Sequence, residues 1–324
     1  MRFSVVIPLH NKELFIARAI FSVLAQTFED FELVIIDDGS NDASVQRVQD
    51  IRDNRIRLVP QRNRGAAAAR NTGIKHSSGP LIAFLDADDT WEPTFLATID
   101  RLTRHYPNAG FYATAYRVVE PDGLMRTPRF GVPRRFEGYL QSYFRAAAQG
   151  RAPAFSSAIA IPRSIFNTIG MFDTQMVVGE DNDMWARIAL SRPVVFTTRV
   201  QATYHQDADP EHRLANVGPK AASYEAFQHS KALLSRLNSG QIPVATQAEV
   251  NYYLADRLLR TARTQVLSGH PDNAIATLDW LNTFNRQDLI ARRWALRVIA
   301  AAIPNRLLAF ARHIFRELRS RTSM

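Results

Sequence analysis

The chain has 324 residues, 46% of them hydrophobic, and a formal net charge of +9 at pH 7. It contains no cysteine, which excludes disulfide-stapled folds, thiolate metal sites and cysteine nucleophiles. The length exceeds that of a usual single domain, so we expect one large domain with an appendage, or two domains. Because neither a signal peptide nor a membrane-spanning run of about 18 apolar residues is apparent, we expect a cytoplasmic protein.

The first part of the chain alternates between apolar, strand-like runs and helical periodicity. Buried strands are predicted at residues 3–9, 31–36, 55–60 and 81–85. Helices are predicted at residues 13–26, from near 43, at 65–77 and at 94–106. This alternation predicts right-handed βαβ units and a parallel sheet, which places the fold in the α/β class.

Two of these predicted strands end in carboxylates. The fourth is followed by Asp86, Asp88 and Asp89, and the second by Asp37 and Asp38. Ligands bind outside the carboxyl ends of the strands in open α/β sheets, so the pattern predicts a hard-metal site at that edge. The alternative for the first group is an acidic turn in which Asp88 or Asp89 caps the next helix. The recurrence of carboxylates at two strand ends favours the metal site.

A second acidic group lies further along the chain. Strands are predicted at residues 110–119, 154–161 and 194–203, with a variable insertion at 120–153. Between the last two strands, Glu180, Asp181 and Asp183 precede an amphipathic helix, where acidic side chains favour the helix macrodipole. Trp185 in that helix has two interpretations, a core residue or a wall of an acceptor pocket.

From residue 219 onward only helical periodicity is visible. Helices are predicted at residues 221–237, 247–267, 271–282, 289–302 and 306–319. Residues 286–321 contain nine arginines against two acidic residues, a net charge of +7. Apolar residues alternate with these arginines, which is typical of a helix pair at an anionic membrane surface. The alternative is packing against the rest of the chain or against a second subunit in a homo-oligomer.

Five segments, taken in order, resemble the family 2 glycosyltransferases. They read VVIPLHNK, FELVIIDDGSNDAS, NRGAAAARNTGI, GPLIAFLDADDTWEP and GEDNDMWARI. The resemblance covers residues 1–205 and implies an inverting enzyme with a GT-A fold that uses nucleotide-diphosphate sugars. We therefore expect a catalytic GT-A domain at residues 1–212. A helical region at residues 213–324 would then provide acceptor, membrane-surface or oligomer contacts.

The resemblance implies donor-binding roles for Pro8, Asn11, Asp38 and Arg70, in addition to Asp86. Pro8 and Asn11 would shape the nucleotide pocket at the end of the first strand. Asp38 would accept a hydrogen bond from the imino N–H of the base, which suits uracil and favours a UDP-sugar. Arg70 would approach the nucleotide or its phosphates.

The resemblance also implies a metal site and a general base. Asp88 would bind Mn²⁺ or Mg²⁺ directly, Asp86 would bind the ribose or the water of the metal, and His205 could act as a further ligand. Of Glu180 and Asp181, the expected base is Asp181, which would take the proton of the acceptor hydroxyl. The helix dipole is expected to keep that carboxylate ionised at neutral pH.

The function implied is transfer of a sugar to a glycan or lipid-linked acceptor in polysaccharide or glycoconjugate biosynthesis, with no nucleic acid as partner. If the basic helices bind lipid, the protein would be peripheral at the inner face of the membrane. One alternative is a sugar-nucleotidyltransferase, but the glycine- and lysine-rich phosphate loop expected of that class does not appear near the N-terminus. Another is a non-catalytic scaffold that acts through its C-terminal helices, against which the intact acidic motifs argue.

Overall fold

The computed structural model describes residues 1–176, 178–206, 228–267 and 271–280. Within these residues one mixed sheet is flanked by helices, and a group of C-terminal helices packs against it. The strands are β1 (Phe3–Leu9), β2 (Phe31–Asp38), β3 (Ile56–Gln61), β4 (Leu81–Phe84), β5 (Thr90–Trp91), β6 (Tyr112–Val119), β7 (Met125–Arg126), β8 (Glu137–Tyr139), β9 (Ile159–Pro162) and β10 (Val195–His205).

The described helices fall into two groups along the chain. The first group comprises α1 (Ile16–Leu24), α2 (Ser44–Gln49), α3 (Ala66–His76), α4 (Phe95–His105), α5 (Tyr143–Gln149), α6 (Arg163–Ile169) and α7 (Glu180–Ser191). The second comprises α8 (Gln228–Asn238), α9 (Val244–Leu267) and α10 (Pro271–Trp280). None of the described helices combines the length and the apolar character that a membrane span requires.

The sheet has the order β3-β2-β1-β4-β9-β6-β10-β5, and its first four strands are parallel. Strand β9 runs antiparallel to both of its neighbours, whereas β6 and β10 are parallel to each other. The predicted α/β class and the mainly parallel sheet are confirmed. The parallel strands β1, β2 and β4 end at one edge, so the residues that follow them meet there.

Buried apolar residues explain why the first strands form at the centre of the sheet. Phe3, Val5, Val6 and Ile7 of β1 are fully buried, as expected for a strand that is covered by helices on both faces. Helix α3 approaches β1 closely because Gly73 has no side chain. A Cβ at that position would come within 2.2 Å of Val6 Cγ1. This close packing fixes the helix that carries Arg70.

The structure corrects one detail of the sequence prediction. The run at 154–161 is a strand only from Ile159, because residues Ser156–Ala158 form a 3₁₀ turn. The variable insertion expected at 120–153 contains β7, β8 and α5. The boundary proposed at residues 212 and 213 and the basic helices at 289–319 lie outside the described residues, and they stay predictions.

Candidate active site

A cavity of about 380 Å³ lies at the edge where the parallel strands end. Its walls are contributed by the ends of β1, β2 and β10, the loop after β4, the start of α3 and the first residue of α7. The lining residues are Pro8, Leu9, His10, Lys12, Asp38, Asn63, Gly65, Ala66, Ala69, Arg70, Asp86, Ala87, Asp88, Glu180, Tyr204 and His205. All the predicted donor and metal residues except Asn11 therefore meet in one cavity.

Asp89 is a structural carboxylate beneath the cavity, not a helix cap. It is fully buried, accepts a hydrogen bond from Ser157 Oγ and accepts another from the backbone N–H of His205 at 3.0 Å. Burial raises its pKa well above the usual range, and the charges of Asp88 and Asp86 raise it further. Ser157 Oγ also accepts the Asp86 N–H at 3.1 Å. Asp89 thus holds the loop that presents the other two carboxylates.

The carboxylate of Asp88 faces a lysine across the cavity. Lys12 Nζ lies 3.0 Å from Asp88 Oδ2, and both side chains are partly exposed to the cavity. Arg18 of α1 donates to the backbone oxygen of Asp88 at 2.7 Å. These two cations compensate the density of negative charge at the end of β4. Helix α4 begins at Phe95 without a side-chain cap, so the alternative that Asp88 or Asp89 caps it is wrong.

Asp38 fixes the loop that leads into α3. Its Oδ1 accepts hydrogen bonds from Gln61 Nε2 at 2.6 Å and from the Arg64 N–H at 2.9 Å, and its Oδ2 accepts the Gly65 N–H at 2.8 Å. Gly65 precedes α3 with a φ of +84°, a conformation that favours glycine. Asp38 also lines the cavity, where it could still contact a base as predicted. Its neighbour Asp37 has a different role and accepts a hydrogen bond within the turn from the N–H of Ser40.

Arg70 joins the two acidic groups of the sequence. Its Nη2 donates to Asp86 Oδ1 at 2.9 Å and its Nη1 donates to Glu180 Oε1 at 2.8 Å. Only 5% of the residue is exposed. Burial disfavours the charged guanidinium, but Asp86 and Glu180 outweigh that effect and raise its pKa. The end of β4 and the start of α7 are therefore held together by one buried cation.

Asp181 differs from Glu180 in its surroundings. Its Oδ1 accepts the N–H of Asn182 at 2.6 Å, and no described arginine or lysine forms a salt bridge with it. Burial and the neighbouring charge of Glu180 raise its pKa to about 6, against the lowering effect of Arg70. Burial and Glu180 thus oppose the effect expected of the helix dipole, and the ionised state expected at neutral pH stays a prediction. Glu180 lines the cavity, whereas Asp181 is not one of the described residues that line it.

Three other predicted positions have distinct surroundings. Pro8 lines the cavity, whereas Asn11 lies outside its lining and accepts the Asn41 N–H through Oδ1 at 2.9 Å. Asn11 therefore braces the loop after β2. His205 lines the cavity, and its Nε2 is 3.1 Å from Thr90 Oγ1. Trp185 is 1% exposed and belongs to the core, so it does not form a wall of an acceptor pocket.

The cavity offers hard oxygen ligands for a divalent cation but not a complete ligand set. No group of three or more histidine, aspartate or glutamate side chains that could hold a metal occurs in the described parts of the chain. Asp86 and Asp88 nevertheless face one space. Mg²⁺ and Mn²⁺ sites commonly combine one or two carboxylates with substrate phosphates and water. The residues present fit a cation that arrives together with a diphosphate.

Lys12 and Ser157 are site residues that sequence reasoning missed. Lys12 follows β1 in a polar turn, and a cation at a strand end that faces an acidic edge is a signal that could have identified it. Ser157 had no comparable signal. It lies in a run of small residues and reaches Asp89 only because β9 pairs with β4.

Comparison with known proteins gives a matching family model and several sequence relatives. Residues 4–170 match the model of Glycosyl transferase family 2. An uncharacterized glycosyltransferase of Nostoc sp., alr2836, is 43% identical over 102 residues, which are 31% of this chain and 32% of that protein. WfgD of Escherichia coli, a UDP-Glc:alpha-D-GlcNAc-diphosphoundecaprenol beta-1,3-glucosyltransferase, is 45% identical over 89 residues, 27% of this chain and 35% of WfgD. The chain spans about a third of the length of these two relatives.

Solved structures match over nearly the whole chain. The structure of S. aureus TarS residues 1–349 with UDP-GlcNAc has a TM-score of 0.69 at 16% identity. The match covers 98% of this chain and 92% of the TarS chain. Mannosyltransferase PcManGT of Pyrobaculum calidifontis, with GDP-Man and Mn²⁺, has a TM-score of 0.59 at 18% identity. The match covers 96% of this chain and 84% of the PcManGT chain. These similarities show the GT-A fold. The family model accounts for slightly more than half of the residues, and the chain therefore belongs to glycosyl transferase family 2.

Proposed function

We propose that the chain transfers a sugar from a nucleotide-diphosphate donor, with UDP-sugars favoured, to an acceptor hydroxyl with inversion at the anomeric carbon. The observation that carries this proposal is the bridge from Asp86 through Arg70 to Glu180. It links a donor-side carboxylate at the end of β4 to the acidic first turn of α7 in one cavity. Such a cavity can bind a donor and place a base beside it.

The nucleotide would lie against the ends of β1 and β2. Asp38 would accept the imino N–H of uracil, a donor group that the base offers at neutral pH. Pro8 and the small residues at the start of α3 leave room for the base and ribose. A UDP donor is supported by the names of two relatives, TarS with UDP-GlcNAc and WfgD with UDP-Glc. PcManGT, whose structure contains GDP-Man, is a counterexample to a preference for UDP.

The diphosphate would lie beside Lys12, Asp86 and Asp88. These two carboxylates would hold Mn²⁺ or Mg²⁺, with His205 as a further candidate ligand. A bound cation would stabilise the negative charge that develops on the departing diphosphate. Lys12 would add a second positive charge, supplied by the protein itself, beside the diphosphate. The Mn²⁺ complex of PcManGT supports a metal in this fold.

Asp181 is the proposed general base. An inverting transfer needs a carboxylate that accepts the proton of the acceptor hydroxyl while that oxygen attacks the anomeric carbon. Glu180 is neutralised by Arg70, whereas Asp181 has a pKa raised to about 6 by burial and by Glu180. Asp181 is therefore the carboxylate of this pair that no described arginine engages in a salt bridge, which leaves it able to accept a proton.

The acceptor would approach from the side of the C-terminal helices. A glycan or lipid-linked acceptor is proposed, and WfgD, a glucosyltransferase named for GlcNAc-diphosphoundecaprenol, supports the lipid-linked one. Peripheral binding to an anionic membrane through residues 286–321 is part of this proposal. Vesicle co-sedimentation of the full chain, compared with a chain that ends at residue 285, tests it. Equal sedimentation of the two would exclude the membrane role.

The function is tested with nucleotide sugars alone. The protein is incubated with UDP-GlcNAc, UDP-glucose or GDP-mannose in the presence of Mn²⁺, and thermal stability and slow release of the nucleotide are measured. A donor that binds only the folded state raises the melting temperature. Release of the nucleoside diphosphate supports a transferase. In a parallel incubation with added pyrophosphate, a nucleotidyltransferase would instead convert the nucleotide sugar into a nucleoside triphosphate and a sugar 1-phosphate. A protein with neither binding nor hydrolysis would be a scaffold.

A further inference from the structure

An arginine of α8 reaches a buried carboxylate in the first turn of α7. Arg236 Nη1 lies 3.4 Å from Asp183 Oδ1, while Arg187 Nε donates to Oδ2 of the same carboxylate at 2.6 Å. The Asp183 side chain is only 3% exposed. Loss of one cation would leave a buried carboxylate that is incompletely compensated. Asp183 is therefore engaged in packing, and Arg236 ties α8 to the turn that carries Asp181.

A buried histidine of α8 lies against the glycine that directly precedes α7. Gly179 has a φ of +86°, and a Cβ there would lie 3.3 Å from the Cβ of His229. His229 Nε2 is 3.1 Å from the hydroxyl of Tyr253 on α9. The Tyr253 ring is in turn edge-on to Phe144 of α5, with centroids 5.6 Å apart. Helix α8 is thus fixed between the start of α7 and the α5–α9 pair.

Asp181 interacts electrostatically with α5 and α9 as well as with residues on the donor side. Burial raises the pKa of the hydroxyls of Tyr143 in α5 and Tyr253 in α9, and the charge of Asp181 raises both further, although Arg257 lowers them. On the donor side Asp181 is influenced by Glu180, Arg70 and Asp86. Asp181 therefore interacts electrostatically with residues of the donor cavity and with α5 and α9, although it does not itself line the cavity.

We propose that α8 is a positioning element of the active site, in which Arg236 and His229 hold the first turn of α7 so that Asp181 keeps its orientation. This inference rests on the proposed function. Neither residue lines the donor cavity, so they are positioning residues and not catalytic ones. Both lie beyond residue 170, where the family model ends. The C-terminal helices would then be a working part of the catalytic unit and not only a platform for partners.

The test compares full-length Arg236→Ala and Arg236→Lys with the wild-type protein, using UDP for binding and UDP-GlcNAc with Mn²⁺ for hydrolysis. Arg236→Ala is expected to leave the Kd for UDP and the KM for UDP-GlcNAc unchanged while it lowers kcat about tenfold, since a small misplacement of a base is costly. The acid limb of the pH profile should move as well, because displacement of the first turn of α7 changes the distances from Asp181 to Glu180 and Arg70. Arg236→Lys should recover most of kcat.

The matched control is Arg260→Ala. Arg260 Nη2 donates to the backbone oxygen of Ala148 at 2.7 Å, so it also joins a C-terminal helix to α5, but it does not reach α7. The Arg260→Ala substitution should lower the melting temperature and leave kcat unchanged. A second pair, His229→Gln and His229→Leu, keeps the measurement interpretable if Arg236→Ala does not fold. Glutamine can still bond Tyr253 and should retain more kcat than leucine.

Two results would overturn the inference. The first is an Arg236→Ala protein with wild-type kcat and pH profile. The second is a parallel loss of UDP affinity, kcat and melting temperature in both Arg236→Ala and Arg260→Ala, which is what a purely structural role produces. A wild-type protein that binds neither UDP nor UDP-GlcNAc would instead overturn the proposed function, and this inference with it.

Discussion

The guanidinium of Arg70 donates to the carboxylate of Glu180 across 110 positions of sequence at 2.8 Å, and its second terminal nitrogen binds Asp86. The three side chains form a bridge between the acidic end of β4 and the acidic start of α7. A buried ion pair contributes little net stability by itself, but the loss of one partner leaves the others uncompensated. The bridge therefore makes the relative placement of the two acidic groups sensitive to a single residue.

Replacement of Arg70 by methionine should strongly destabilise the protein. Two carboxylates would lose their common cation, with a cost of about 3–5 kcal/mol in the free energy of unfolding. Arg70→Lys should cost less, but it should still weaken UDP binding because a lysine cannot bond two carboxylates in a fixed fork. Urea unfolding and UDP titration measure both effects.

The control for this change is Arg57→Met, an exposed arginine near His76 whose loss should alter the free energy of unfolding little. If Arg70→Met were as stable as Arg57→Met, the bridge would have no structural role.

Asp181→Asn should separate binding from chemistry. UDP affinity should stay within about twofold of the wild-type value, while hydrolysis or transfer should fall by about 10²-fold or more, since a positioned base contributes that much. In the wild-type protein the rate should rise with pH through about 6, where Asp181 ionises. If Asp181→Asn kept full activity, Asp181 would not be the base, and Glu180 would be the remaining candidate.

The same variant should be more stable than the wild-type protein at high pH. The pKa of Asp181 is raised in the folded state, so the neutral carboxyl favours folding below the unfolded pKa of about 3.9. That contribution is lost as pH rises through about 6. Melting temperatures at pH 4 and pH 8 should therefore show a gain for Asp181→Asn mainly at pH 8. The exposed Asp173→Asn serves as the control and should show none.

Asp89 should tolerate asparagine but not alanine. Burial and the neighbouring aspartates raise its pKa, so the site already favours an uncharged group, and an amide can bond both Ser157 and the N–H of His205. Alanine leaves both partners unsatisfied, at about 1–3 kcal/mol each. Chemical denaturation should show a small effect for Asp89→Asn and a large one for Asp89→Ala. Equal losses would mean that the charge of Asp89 is itself required.

The elements were predictable where their signal is local. The mostly apolar strands β1 and β2 and the alanine-rich α3 were predicted within a few residues, because burial on both faces and helix propensity are visible in the local sequence. Contacts between distant residues left no such mark. The bond from Ser157 to Asp89 depends on the antiparallel β9, and the proximity of Lys12 to Asp88 depends on β1 pairing with β4. Topology, not local pattern, brings these side chains together.

The pairing of Lys12 with Asp88 predicts competition between the lysine and a divalent cation. Lys12 Nζ is 3.0 Å from Asp88 Oδ2, so a cation must share or replace that contact. Lys12→Met should strengthen Mn²⁺ binding in the absence of nucleotide by several-fold, about 1 kcal/mol, the upper range for a partly exposed ion pair. It should weaken UDP binding in metal-free buffer, because the diphosphate loses a cation. Calorimetric titration with Mn²⁺ and with UDP measures both.

Two further variants make this competition specific. Lys75→Met removes the same charge from the exposed end of α3 and should leave both affinities unchanged. Asp88→Asn should abolish the gain in UDP affinity that Mn²⁺ provides, since a carboxylate ligand of the cation is lost. If Lys12→Met weakened Mn²⁺ binding, the lysine would support the metal site and not compete with it. An Asp88→Asn protein with an intact Mn²⁺ effect would place the cation elsewhere in the cavity.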